Sequence, residues 1–166
     1  MGLFPKAGKM PSTRADWVLF DAGVLIGALL RHDTRHVEAR PLVEAARRGE
    51  LRACVTPGIL SEVYAALTWV QAQPPHSPED AANAVRALIE PPSAIRVLAE
   101  NRASLMMALD LAVAHGLTAR RTHDARHAAA ALHAGVTRVR TYDVSDWQVF
   151  AAEGMRVLAL PKTPSV

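Results

Sequence analysis

The chain reads as an α/β protein, a three-layer α/β/α sandwich around a central, mostly parallel sheet. Short continuous apolar runs alternate with longer helical patterns. One such run, Trp17-Val18-Leu19-Phe20, ends at Asp21, and a later strand candidate, Thr137 to Tyr142, also ends at an aspartate, Asp143. An unbroken apolar run, rather than strict alternation, is what a strand buried on both faces requires.

The elements follow in order. Val24, Leu25, Ile26, Leu29 and Leu30 form an apolar helix after the first strand. A second helical pattern starts at Asp33-Thr34, runs through Val37, Leu42 and Val43, and closes on Arg47, Arg48 and Gly49, with Pro41 as a kink or a restart. Leu51 to Val55 is the next strand. Thr56-Pro57 caps a helix whose apolar side carries Ile59, Leu60, Val63, Leu67 and Val70. Gln73 to Pro78 is a loop, and Ser77 caps a helix over 78–89. Pro91-Pro92-Ser93 breaks the chain before a short strand at Ile95 to Leu98. A helix over 103–115 ends at Gly116. Thr122 is the expected N-cap of a helix over 124–134, closed by Gly135. Val144 to Glu153 is a helix stopped by Gly154, and Met155 to Leu160 is the last strand. Three segments result: a loosely held stretch over 1–16, one domain over 17–161 and a tail over 162–166.

Composition narrows the classes. Of 166 residues, 50% are hydrophobic and 21% charged, which excludes a chain too polar to bury a core. Aromatics are 5%, so the core is expected to be aliphatic. A single cysteine, Cys54, excludes an intramolecular disulfide framework and a multi-cysteine zinc site. No signal-peptide pattern follows Lys6 and Lys9, and the longest apolar stretch is too short to span a bilayer, so a soluble, cytoplasmic protein is expected. The formal charge is +3, almost all of it from arginine, whose planar fork suits phosphate. A solvated surface gives the same bias.

The chemistry-bearing residues are acids. In open α/β sheets ligands bind at the carboxyl ends of strands. Asp21 and Asp143 fall there, Asp146 follows three residues later, and Asp124 starts a helix. Glu62 lies one turn into the helix after the second strand. Converging carboxylates repel unless a hard cation sits among them, and Mg²⁺ takes oxygen ligands while keeping waters. Metal-assisted phosphodiester hydrolysis is the chemistry expected. Taken singly, Asp124 and Asp146 also fit the helix dipole, and Glu62 fits an exposed helix position. Asp21, set in an apolar run, has no such ordinary reading.

At these residues the sequence resembles PIN-domain ribonucleases, specifically VapC-type toxins of type II toxin–antitoxin systems. The matching segments are Leu19 to Ile26, Thr56 to Val63, Thr122-His123-Asp124 with the alanine-rich helix after it, and Thr141 to Trp147. The resemblance implies Mg²⁺ or Mn²⁺ held by Asp21, Glu62, Asp124 and Asp143, with Asp146 nearby. It also implies RNA as substrate, a cognate antitoxin and a toxin homodimer. Family members often carry Thr or Ser, then Asn or Ser, after the first aspartate. Ala22 and Gly23 stand there instead, so one hydrogen bond orienting the metal site is expected to be missing.

Arg120, Arg121, Arg126 and His127 are the candidates for contact with substrate, the arginines by pairing with phosphates or by offsetting the carboxylates. His123 and His127 have the i, i+4 spacing of a zinc pair but lack the glutamate of that motif. Trp69 and Trp147 fit base stacking, core filling or a dimer contact. Arg138 and Arg140 are unexpected in a strand buried on both faces and suggest an edge or an RNA-facing rim. The alternative is a PIN-fold RNA-binding protein without turnover. A phosphotransfer domain using Asp21 as nucleophile is disfavoured, because Ala22-Gly23 provide no second acid.

Overall fold

A computed structural model describes residues 16–160. The expectations for most of 1–16 and for 161–166 lie outside them. Five strands form one all-parallel sheet: β1 (Val18–Phe20), β2 (Ala53–Val55), β3 (Arg96–Val97), β4 (Arg138–Thr141) and β5 (Arg156–Ala159). Their order is β3-β2-β1-β4-β5. From β1 the chain builds outward to β2 and β3, then returns to place β4 on the other side of β1 and β5 beyond it. The β1/β4 junction is therefore the topological switch point, and the crevice beyond the strand ends there is where such sheets bind ligands.

Helices flank the sheet as expected. α1 (Ala22–Leu29) packs on α2 (His36–Arg47) and on α3 (Pro57–Thr68), which in turn packs on α4 (Pro78–Ile89). α5 (Arg102–Ala114) packs on α6 (Arg121–His133), and α7 (Val144–Gln148) lies against β5. α6 comes close because its inner face is alanine: Ala125, Ala128, Ala129, Ala130 and Ala131 are all buried. The core is mainly aliphatic, yet three aromatics, Trp147, Phe20 and Phe150, are its largest fully buried side chains. Trp147 and Phe150 meet edge to face, centroids 5.7 Å apart, so Trp147 is a core residue and not a base-stacking one.

Several local expectations are corrected. Thr122 is not a cap: α6 begins a turn earlier, behind Ala119 at φ 48°, and the Thr122 hydroxyl donates to the Ala119 carbonyl instead. Pro41 sits inside α2 without ending it. Asp33 does not start that helix; its carboxylate accepts the Arg35 amide and pairs with the Arg35 guanidinium, making a turn ahead of it. The helix after Asp143 is two pieces, α7 and a 3-10 turn over Val149–Glu153. Asn101, not foreseen as a cap, forms a reciprocal capping box with Ser104 at the start of α5. β4 is no edge strand. Arg138 and Arg140 alternate with buried Val139 and Thr141, so they share one half-buried face between β1 and β5.

The alanine face of α6 makes a test. Ala129→Leu adds three carbons where nothing is exposed, and overpacking of that kind costs about 1–3 kcal/mol. Denaturant unfolding is expected to show that loss, whereas an unchanged midpoint would mean that α6 packs loosely.

Candidate active site

Asp21 anchors the site. It follows β1 directly and serves as the N-cap of α1, one carboxylate oxygen accepting the Ala22 N–H at 2.8 Å. The other oxygen accepts the Thr141 hydroxyl at 2.7 Å and the Trp147 indole N–H at 3.1 Å. Its own amide donates to the Arg140 carbonyl across the β1/β4 junction. At 8% exposure, burial pushes the carboxyl above its ordinary value, and the three hydrogen bonds oppose that rise. Ala22 and Gly23 offer Asp21 no side-chain hydrogen bond; Thr141 and Trp147, far along the chain, do. Both oxygens are engaged, which speaks against Asp21 as a free nucleophile.

Thr141 joins two acids. Its hydroxyl donates to Asp21 and accepts the Asp143 amide at 2.9 Å, so one side chain sets the distance between the β1 and β4 ends.

A second chain of contacts fixes Glu62. Thr56 caps α3, its hydroxyl oxygen accepting the Ile59 amide at 3.1 Å. That hydroxyl lies 2.9 Å from Nδ1 of His127, and Nε2 of His127 lies 2.7 Å from a Glu62 carboxylate oxygen. A carboxylate can only accept, so Nε2 donates to Glu62, a role assigned from the network. His127 is 1% exposed. The sequence made it a candidate for substrate contact; the structure instead buries its ring between Thr56 and Glu62, and neither ring nitrogen is left for zinc. Gly58 makes room for it: a Cβ there would lie 2.7 Å from His127 Cε1.

Beyond these residues lies an open cleft of about 440 Å³. Glu62, Asp124, Asp143 and Asp146 line it, together with Arg120, Arg121 and His123. Asp21 sits behind the lining, near enough for its charge to act on Asp124. Burial first, and then the Asp21 charge, raise the Asp124 carboxyl from 3.8 to about 6, with the Arg121 contact pulling the other way. Arg121 bridges two acids, its Nε 3.1 Å from Asp124 and its Nη1 3.1 Å from Asp146, while Nη2 donates to the Asp146 carbonyl at 2.8 Å. Arg126 is elsewhere: it turns away to Glu100, at 2.9 Å through Nε, and lines a separate depression. His123, Thr56, Thr141 and Trp147 are site residues that the sequence reading did not assign.

Five carboxylates and no thiolate make a hard oxygen donor set that suits Mg²⁺ or Mn²⁺ rather than a soft metal. Burial first, and the neighbouring Asp21 charge second, oppose ionisation of Asp124, and a divalent cation would relieve the second. Among the described residues, no three His, Cys, Asp or Glu side chains are yet disposed around one ion. Arg121 draws Asp124 and Asp146 together, and His127 holds Glu62.

Two outcomes follow. With chelator present, Asp124 favours the folded state only while protonated. That contribution is complete below pH 3.8 and is lost as pH rises to about 6, because the folded form holds a proton that the unfolded form has released. Thermal melts in EDTA from pH 4 to 7 should show this decline, and Asp124→Asn should flatten it; an identical slope in the variant would contradict the assignment. Separately, Gly58→Ala should displace the His127 ring, lowering stability by about 1–3 kcal/mol and broadening the imidazole NMR signals, whereas unperturbed His127 resonances would contradict the packing.

Comparison with known proteins agrees with this fold. The PIN domain family model matches residues 18–149. Among solved structures, the crystal structure of Mycobacterium tuberculosis VapC20, described as a sarcin-ricin loop cleaving toxin, superposes with a TM-score of 0.62. The match is 18% identical and covers 84% of this chain and 96% of that one, a likeness of fold. Comparison with curated protein sequences gives no match. The family match spans β1 through α7 and so includes every acid of the cleft: this protein is a member of the PIN-domain family.

Proposed function

We propose that the protein is a metal-dependent endoribonuclease that hydrolyses RNA phosphodiester bonds as the toxin of a toxin–antitoxin pair. The observation that carries this reading is the gathering of Glu62, Asp124, Asp143 and Asp146 in one cleft, with buried Asp21 behind them, at the switch point of a parallel sheet. PIN-domain nucleases are typically ribonucleases and generally depend on a metal.

Asp21, Glu62, Asp124 and Asp143 would hold Mg²⁺ or Mn²⁺, with Asp146 beside them. When bound, the cation supplies Lewis acidity at a phosphate oxygen and a nucleophilic water at neutral pH. The chain's own groups do the rest. Thr141, Trp147 and the Ala22 amide hold Asp21 in one orientation, and His127 does the same for Glu62. Preorganisation of this kind removes the cost of gathering like charges during the reaction. Arg120, on the cleft wall, offers positive charge to the RNA backbone. His123, on the same wall, can hold the proton that the departing 3′ oxygen needs.

Partners belong to the same reading. Leu105, Met106, Leu109 and Val113 expose an apolar stripe along α5, consistent with contacts to a second copy or to an antitoxin. Among the described residues no helix is long and apolar enough to cross a membrane, in keeping with a cytoplasmic site of action.

Cleavage of total RNA in Mg²⁺, with and without EDTA, and by Asp21→Asn, tests the reading. Each treatment is expected to lower the rate by at least about 100-fold, roughly 3 kcal/mol of transition-state stabilisation. RNA bound without any cleavage would favour the binding-protein alternative. Cleavage indifferent to both treatments would remove the site.

A further inference from the structure

Resting on the metal-dependent reading above, we infer that Arg121 is a built-in counter-cation that bridges Asp124 and Asp146 in the metal-free protein and must release Asp124 before a divalent ion can bind.

The geometry is that of a clamp. Three nitrogens of one guanidinium reach two acidic residues, two through carboxylates at 3.1 Å and one through the Asp146 carbonyl at 2.8 Å. Arg121 stands in the first turn of α6, three residues before Asp124, while Asp146 comes from α7. The clamp therefore ties the α6 side of the cleft to the β4 side. The Arg121 contact occupies Oδ2 of Asp124, which is not open to a shared ion while the clamp is closed. A fork of fixed shape cannot share one carboxylate oxygen with a cation at full strength.

Neighbouring arginines separate contact from mere field. Arg120 lines the same cleft, yet no hydrogen bond or ion pair joins its side chain to an acid among the described residues. Arg126 is committed to Glu100. Removing Arg120 changes the local charge as much as removing Arg121 does, but it frees no ligand.

Calorimetric titration of the full chain with Mg²⁺, in wild type, Arg121→Gln and Arg120→Gln, tests the clamp. Arg121→Gln is expected to bind about tenfold more tightly than wild type, the equivalent of one partly buried charge-assisted contact. Arg120→Gln should change affinity less than about threefold. In the wild-type protein, the Arg121 side-chain Nε–H resonance should move on Mg²⁺ addition, a readout that needs no variant. Equal or weaker binding by Arg121→Gln, an equal gain in Arg120→Gln, or an Arg121 signal that stays put would each overturn the clamp while wild-type binding leaves the ribonuclease reading standing. Failure of all three proteins to bind Mg²⁺ would overturn both.

Discussion

A carboxylate buried at the junction of two parallel strands is the constraint around which this molecule is arranged. Burying a charge is costly unless donors replace the lost water. Asp21 receives three: the first amide of α1, a hydroxyl at the end of β4 and an indole from α7. Those donors lie up to 126 residues from Asp21 in sequence, so the polar centre forms only when the β1/β4 pair and α7 are in place. The hydrophobic core and the acidic site therefore share an element, since Trp147 both fills the core beside Phe150 and donates to Asp21. Few substitutions at Trp147 could serve both roles.

From that centre outward the site becomes wetter and more adjustable. Asp21 is held on both oxygens. Glu62, partly exposed, is steadied at one oxygen by a buried histidine. Asp124 and Asp146 are steadied by a side chain that is itself part-exposed. This gradient suits a site that must remain organised without a cation and yet accept one. It also accounts for Gly58, where packing against His127 rather than backbone freedom excludes a side chain.

Much of the fold was legible because parallel strands leave strong marks. The apolar run before Asp21 marked β1 and the Gly and Pro stops marked most boundaries, so the order of elements followed. The acids were legible for the same reason, since residues just past strand ends point at the ligand-binding edge. What stayed hidden depends on contacts between distant segments. Within α6 alone, His127 is one polar residue in an alanine-rich helix. Only Thr56 and Glu62, 71 and 65 residues away, make it a buried positioning group. Arg121 and Arg126 look equivalent in sequence, and only the positions of Asp146 and Glu100 send them to different places. Thr122 misled because a positive-φ residue at Ala119 begins the helix one turn sooner, which cap preference alone cannot reveal. Ala22 and Gly23 suggested a missing hydrogen bond because the donor to Asp21, Thr141, lies 120 residues downstream.

The most direct measurement is anomalous diffraction from crystals soaked in Mn²⁺, which places the ion without reference to activity. The account predicts a strong peak in the cleft, coordinated by Asp124 with others of Asp21, Glu62 and Asp143, and the Arg121 guanidinium withdrawn from Asp124. No peak there, or manganese bound only at acids outside the cleft, would contradict it.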